Sequence, residues 1–480
     1  MEEQKNTFYI TTPIFYPNAN LHMGHAYTTT LADIIARYHR LRDVETYLLV
    51  GADENTEKVV RAAEAAGKGT QEYLDGIVRG FQDLFSKLEI DYDQFIRTSD
   101  NGVHWPGAME IWRRMVRSGD IEKRTYSGLY CVGHESFITE KDLVDGKCPE
   151  HNEEPQKVSE ENYFFKLSKY SKRIEEKIKS DELAIIPHAR KNEILALIAR
   201  GLEDISFSRP AEKMSVGIPV PDDPTQKIYV WGDALANYAS ALGFGRENDE
   251  LFKKFWPADL HVIGKDILRF HAAIWPGMLM SAGLPLPKSI LVHGFITSGG
   301  KKMSKSLGNV IDPNALIAEY GAEAVRYYLA RHISPFEDGD MTQESFKGAY
   351  NADLANGLGN LVSRVLKMAV TNGVSIEEEK LNQNISSAPE LAHMESYEVN
   401  KAGSAIWGRI QKMDQYIQVE QPFKKIKADL EGAKKDIRYL LAELYAVVAL
   451  LRPIMPETSK TILDLVRKNK MPESPLFPRK

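Results

Sequence analysis

His22-Met23-Gly24-His25 sets two imidazoles around a glycine at the start of an apolar-periodic run. A helix N-terminus offers N–H groups and partial positive charge, and imidazole N–H groups donate to phosphoryl oxygens, so the motif suits a phosphate site. Gly24 lets a ligand come close to the backbone. Two histidines merely satisfied at a helix cap are the alternative. A second cluster, Lys302-Met303-Ser304-Lys305-Ser306, follows Gly299 and Gly300 and precedes Leu307-Gly308-Asn309. Its lysines ride on flexible stems and can neutralise a triphosphate; taken alone, the run reads equally well as a solvated charge cluster. A third constellation is Cys131-Val-Gly-His134 with Cys148-Pro-Glu-His151. Two C-x-x-H pairs separated by a turn-rich loop give the Cys2His2 spacing of tetrahedral zinc, and closed four-ligand coordination would make the metal structural; a metal-free insert stays open as the alternative.

Elements must hold these groups in place. Phe8 to Thr12 reads as a strand, Pro13 and Pro17 mark a loop, and a helix begins near His22 with Ile34, Ile35, Tyr38 and Leu41 on one face. A second strand, Thr46 to Val50, follows. Strand, loop, helix and strand open a parallel α/β sheet with its ligand site at the carboxyl ends of the strands. Between about Asp120 and Arg209 the chain turns to short pieces with both cysteines and charged helical runs such as KLSKYSKRIEEKIKS, the mark of an insert. Strands resume with KIYVWGDA, DLHVIGKD and SILVHGFI. After Met341 the pattern is helical, with DLANGLGNLVSRVLKMAV and KDIRYLLAELYAVVALLRPIM strongest, and 372–394 reads as a loop. In the first of these helices Leu354, Leu358, Leu361, Val365 and Met368 share one stripe, and Asn356, Asn360 and Arg364 share another.

The composition is that of a globular protein: 480 residues, 43% hydrophobic and 27% charged. A net charge of -6 excludes a chain held to nucleic acid by an overall positive field, so RNA contacts must use local patches, and DNA is not an expected partner. Two cysteines cannot be a secreted disulfide framework, and the opening MEEQKNTFYI lacks the basic and apolar parts of a signal peptide. No apolar run reaches membrane-span length, so a cytoplasmic protein away from the membrane is expected.

The paired motifs, in this order, resemble the HIGH and KMSKS signatures of the class I aminoacyl-tRNA synthetases. Thr11-Thr12-Pro13-Ile14-Phe15-Tyr16-Pro17-Asn18-Ala19, YVWGDALANY at 229–238 and HVIGKDILRFH at 261–271 are similar to the methionyl members of that family, nearly end to end. The resemblance implies an α/β Rossmann-type catalytic domain in two halves, 1–119 and 211–300, and a connective insertion with a zinc knuckle at 120–210. It further implies a KMSKS loop and stem-contact region at 301–345 and an all-α anticodon-binding bundle at 346–480. It implies that L-methionine and ATP, with Mg2+, give methionyl-adenylate and pyrophosphate, and that the methionyl group then passes to the 3' end of tRNA(Met). In this scheme His22, Gly24, His25, Lys302 and Lys305 are catalytic, and Gly264, Asp266, His293 and Gly294 join the ATP site. Ile14, Tyr16, Trp231, Ala234, Leu235, Tyr238, Ile267 and His271 form the methionine pocket, and Asp53 binds the amino group. A long, polarisable thioether suits such a pocket, although Trp231 and Tyr238 at helical spacing are equally read as core aromatics.

The implied ligands of a structural Zn2+ are Cys131, His134, Cys148 and His151, where relatives often carry Cys in place of His134. Asp53-Glu54-Asn55-Thr56 departs from the usual Asp-Glu-His-Gly, and Asn55 cannot titrate near neutrality. Asn360 and Arg364 match anticodon-reading positions, and Phe423 after Pro422 stands where the family stacks a tryptophan. For Asn360 a solvated helix face is the alternative. Other class I ligases are rivals, but those for branched amino acids carry a large editing insertion, for which about 90 residues are too few. A non-catalytic RNA-binding paralogue and a small-molecule nucleotidyltransferase are the other classes in view. The chain ends shortly after its last helix, and a monomer is expected.

Overall fold

A computed structural model of the chain describes residues 6–131, 136–138, 140, 143–149, 153–303, 308–376 and 385–480, the side chains of 126, 136, 137 and 386 excepted. The chain forms two compact units. One comprises Met1–Asn20, Tyr47–Phe81 and Tyr92–Val292; the other comprises Leu21–Thr46, Gln82–Asp91 and His293–Lys480.

The first unit is built on a six-stranded sheet, in spatial order Gln94–Arg97, Glu45–Ala52, Thr7–Thr11, Leu260–Gly264, Ser289–His293 and Ala184–Ile186. Ile10 lies opposite Leu260, Val50 opposite Phe95 and Ile290 opposite Ile185, all in parallel register. The runs LHVIG and SILVH are buried throughout, as parallel strands covered on both faces must be. Strand order reverses between Thr7–Thr11 and Leu260–Gly264, and parallel sheets bind ligands beyond the carboxyl ends of the strands at such a switch point. The residues leaving those ends are Pro13 to Tyr16 and Lys265 to Ile267.

One sequence expectation needs correction here. KIYVWGDA is no strand of the main sheet: Asp223–Ile228 pairs antiparallel in a separate three-stranded sheet, and Val230–Ala234 is helical. The stretch 120–210, expected as an insert, contributes strands to more than one sheet. Its strands Ile121–Cys131, Ser136–Ile138, Gln156–Phe165 and Ile205–Ser206 form their own antiparallel sheet, but Ala184–Ile186 supplies an edge of the main sheet. Three residues carry too little periodicity to declare their sheet.

In the second unit the helix Met23–Leu41 is more deeply packed than an amphipathic stripe suggests, since every residue from Ala26 to Ala36 is buried. A small sheet places Ile296–Ser298 between Lys301–Lys302 and Gly339–Asp340. The helices include Ala322–His332, Asn360–Thr371, Val399–Glu420, Leu430–Leu450 and Pro456–Lys468. A π-helical stretch, Tyr350–Gly359, runs into Asn360–Thr371, and the expected stripe of Leu354, Leu358, Leu361, Val365 and Met368 is buried. The loop expected at 372–394 is partly wrong. Residues 377–384 lie outside the described residues, and Pro389–Ser396 is a 3-10 helix that buries Leu391 and Met394 beneath its polar face.

Arg326, fully buried, knots this unit together. Its guanidinium donates to the carbonyls of Ile454 at 2.9 Å, Leu88 at 3.0 Å and Pro453 at 2.9 Å, and pairs with Asp33 at 2.6 Å. Asp33 also accepts from Arg37 and from the backbone N–H of Asp91, both at 2.8 Å.

Candidate active site

The signature histidines cap their own helix. His22 is the N-cap residue; its Nδ1 accepts from the Gly24 N–H at 3.0 Å, and the His25 Nδ1 accepts from the His22 N–H at 3.2 Å. The rings lie 3.9 Å apart, centroid to centroid. With Nδ1 accepting in both rings, the neutral imidazole carries its proton on Nε2. Burial, reinforced by the neighbouring His22, lowers the His25 pKa to about 3, so this ring is neutral at working pH. Capping and phosphate binding are therefore compatible, because they use different nitrogens. A Cβ on Gly24 would lie 2.9 Å from the His22 ring, so a side chain there would push that ring from its capping position.

His293 closes the next layer. Its Nδ1 donates to the Gly294 carbonyl at 2.7 Å, and its Nε2 pairs with the Thr28 hydroxyl at 2.8 Å, one turn along the signature helix. Both ring nitrogens are thus engaged with protein, which fits a positioning role beside the signature. A Cβ on Gly294 would meet the Glu337 backbone at 2.3 Å. Beyond it, Gly299 and Gly300 at φ 63° and 70° make the tight left-handed hairpin turn that delivers Lys301–Lys302. Asp340 braces that turn, accepting from the Gly300 N–H and the Thr297 hydroxyl at 2.8 Å each. The Lys302 ammonium lies 5.4 Å from the Phe295 ring centre. Lys305 lies outside the described residues.

The first unit holds the expected amino-acid residues. Trp231 stacks on Phe270 at 3.7 Å and 10°, with His271 edge-on at 6.3 Å. The Tyr238 hydroxyl pairs with His271 Nε2 at 2.7 Å, while His271 Nδ1 donates to the Ile267 carbonyl at 3.0 Å. Burial drops the His271 pKa to about 4, so Nε2 accepts from the phenol. His261 backs Tyr238 at 4.3 Å and is held by Thr11 at 2.7 Å. Ile14, Tyr16, Trp231 and Ile267 are partly exposed on this core; Ala234, Leu235, Tyr238 and His271 are buried behind. His271 sits in a π-helical turn, Phe270–Ile274, a local widening frequent at functional sites. Asp53, buried at the end of Glu45–Ala52, accepts from the Thr98 hydroxyl at 3.3 Å. Gly264 ends its strand buried, and Asp266 is exposed just after it. Sequence reasoning missed Phe270 and His261, although both lie within the HVIGKDILRFH run.

Cys131 ends the strand Ile121–Cys131, Cys148 follows the turn closed by Val144 and Lys147, and both are buried. His134 and His151 lie outside the described residues; among the described residues no three His, Cys, Asp or Glu side chains gather as a metal cluster. In the helical region Asn360 is exposed, Arg364 pairs with Asp414 at 2.8 Å, and Asn356 accepts from Arg479 at 2.8 Å. Phe423 is half exposed, following Pro422 and the left-handed Gln421.

Comparison with known proteins agrees with this chemistry. The family model for class I tRNA synthetases (M) matches residues 8–159 and 151–366, and that for the anticodon binding domain of methionyl tRNA ligase matches residues 371–475. A methionine–tRNA ligase of Caldanaerobacter subterraneus is 43% identical over 96% of this chain and 74% of its own length. One from Clostridium perfringens is 44% identical over 95% and 73%. A solved Mycobacterium tuberculosis methionyl-tRNA synthetase in complex with methionyl-adenylate superposes with a TM-score of 0.89 at 38% identity, over 96% of this chain and 93% of that one. The matches run along nearly the whole length, catalytic region and helical tail alike, and the chain belongs to the methionyl family of class I aminoacyl-tRNA synthetases.

Proposed function

We propose that the chain works as a methionine–tRNA ligase. A methionine carboxylate oxygen attacks the α-phosphorus of ATP, the bond to pyrophosphate breaks, and a hydroxyl at the 3' end of tRNA(Met) then takes the methionyl group from the adenylate, breaking the acyl–phosphate bond and releasing AMP. The observation that carries the reading is the pocket wall of Trp231 stacked on Phe270 with Tyr238 bonded to His271, together with the buried carboxylate of Asp53. Aromatic faces and a neutral histidine suit a thioether, and a buried carboxylate suits an ammonium. Nε2–H groups of His22 and His25 serve as donors to phosphoryl oxygens, Lys302 and Lys305 supply positive charge, and Mg2+ accompanies ATP. Pyrophosphate exchange measured with each amino acid in turn tests this: exchange driven by methionine is expected, and exchange driven by leucine but not methionine would sink it.

The bundle at 346–480 is our proposal for the anticodon-binding region, with Asn360, Arg364 and Phe423 reading the bases. Exposure of Asn360 and of the Phe423 ring supports it. We further propose a structural zinc held by Cys131, Cys148, His134 and His151. Two buried thiols, one at a strand end and one after a tight turn, suit a closed thiolate site better than reactive cysteines. About one zinc per chain is expected on elemental analysis, with chelation lowering the melting midpoint. Metal-free protein that melts at the same temperature would count against the site. A cytoplasmic monomer is the state that fits this work; among the described residues no helix is long and apolar enough to cross a membrane.

A further inference from the structure

Asn55 stands where the family commonly has histidine, and both N–H groups of its amide are committed. Its Nδ2 donates to the Thr98 carbonyl at 2.9 Å and to Asp233 Oδ2 at 2.8 Å. The other Asp233 oxygen faces His104 Nε2 at 2.6 Å, and His104 Nδ1 pairs with the Ser240 hydroxyl at 2.8 Å. Asp233, His104 and Ser240 are fully buried, and Asn55 is 3% exposed. A buried carboxylate is tolerable only with such donors.

The chain of bonds ends on two sides of the pocket. Asp233 lies in the short helix Val230–Ala234 between Trp231 and Ala234. Thr98, the other acceptor of Asn55, donates its hydroxyl to Asp53, the residue assigned to the ammonium. One amide therefore links the wall that meets the thioether to the carboxylate that meets the amino group.

We propose that Asn55, Asp233 and His104 are positioning residues that set the methionine pocket, with Asn55 coupling its two ends. The proposal rests on the pocket reading above. The bonds of Asn55 run to Thr98 and Asp233, beside the residues assigned to methionine, so its loss should act on methionine and spare ATP.

Steady-state pyrophosphate exchange with the full chain tests it. Asn55→Ala is expected to raise the KM for methionine roughly 10- to 100-fold, the loss of one donor to a buried carboxylate. The KM for ATP should stay within about twofold, and Asn55→His, which restores an N–H, should recover most of the loss. Asp233→Asn, nearly isosteric, should shift the methionine KM in the same direction and serves if Asn55→Ala does not fold. A methionine KM that stays put in both variants, or one that rises in step with the KM for ATP, overturns the proposal. Trp231→Ala separates the two readings: if it raises the methionine KM and Asn55→Ala does not, the pocket stands and the relay falls. If Trp231→Ala leaves that KM unchanged, the pocket assignment itself is wrong.

Discussion

His25→Ala is expected to slow methionine-dependent pyrophosphate exchange by about two to three orders of magnitude, the usual cost of removing one preorganised donor from a developing oxyanion. The expectation follows from the ring's geometry. Its Nδ1 accepts from the His22 N–H and its pKa is lowered to about 3 by burial and by His22, so the proton sits on Nε2 of a neutral ring of fixed direction. Binding in the ground state does not need that donor as much as the transition state does, so kcat should fall more than the KM for ATP rises. Alanine also removes the reciprocal bond of the capping box, at a cost of at most about 1 kcal/mol of stability. Stopped-flow measurement on folded protein therefore belongs with a melting curve, which should move only a few degrees. An exchange rate within fivefold of the parent would remove His25 from the chemistry.

A pH profile gives an independent check. The folded pKa lies below the ordinary value of 6.5, so the unfolded chain binds the extra proton, and the stability tied to this ring is full above 6.5 and lost as pH falls toward 3. Between pH 7 and 9 no titration of His25 enters the rate. His25→Asn, which keeps an acceptor but turns its donor elsewhere, should preserve the cap better than alanine and rescue little of the rate.

What the sequence made legible is what is local. His22 to His25 and the glycine pair before Lys301 carry their geometry in a few residues, because a cap and a two-residue turn are short-range structures. The pocket residues were reachable only through resemblance to the family; periodicity alone left Trp231 and Tyr238 as core aromatics, and Tyr238 is indeed buried as well as bonded to His271. KIYVWGDA misled because its β-branched and aromatic residues favour a strand, but burial of Val230 and Asp233 on a helical turn decided otherwise. The junction of Asn55 with Asp233 spans 178 positions, and no local pattern announces such a pair. Arg326 is the extreme case: its helix reads AEAVRYYLARH, in which an arginine looks like any solvated position, and its four partners come from three distant segments.

That buried arginine supports the second large effect. Arg326→Leu removes the cation but leaves Asp33 buried and strips a donor from each of the Leu88, Pro453 and Ile454 carbonyls. Breaking a buried pair from one side costs about 3–5 kcal/mol, a large share of an ordinary protein's stability. The melting midpoint of the unit that holds both partners should drop by roughly 10 °C. Arg326→Lys keeps the charge without the planar fork, and one ammonium cannot serve the same spread of carbonyls, so it should recover less than half of the loss. Asp33→Asn together with Arg326→Leu should cost less than the sum of the two single changes, since the orphaned anion is gone in the double variant. Calorimetry of the four proteins decides the matter, and a shift under about 2 °C for Arg326→Leu would mean that the knot holds nothing. The consequence for activity is specific. Asp33 sits on the helix that begins at the signature histidines, and its other partners, Arg37 and the Asp91 N–H, hold it less completely once Arg326 is gone. Arg326→Leu protein kept below its melting point should therefore lose exchange rate through kcat, by way of a loosened signature helix, while its KM for methionine stays near that of the parent.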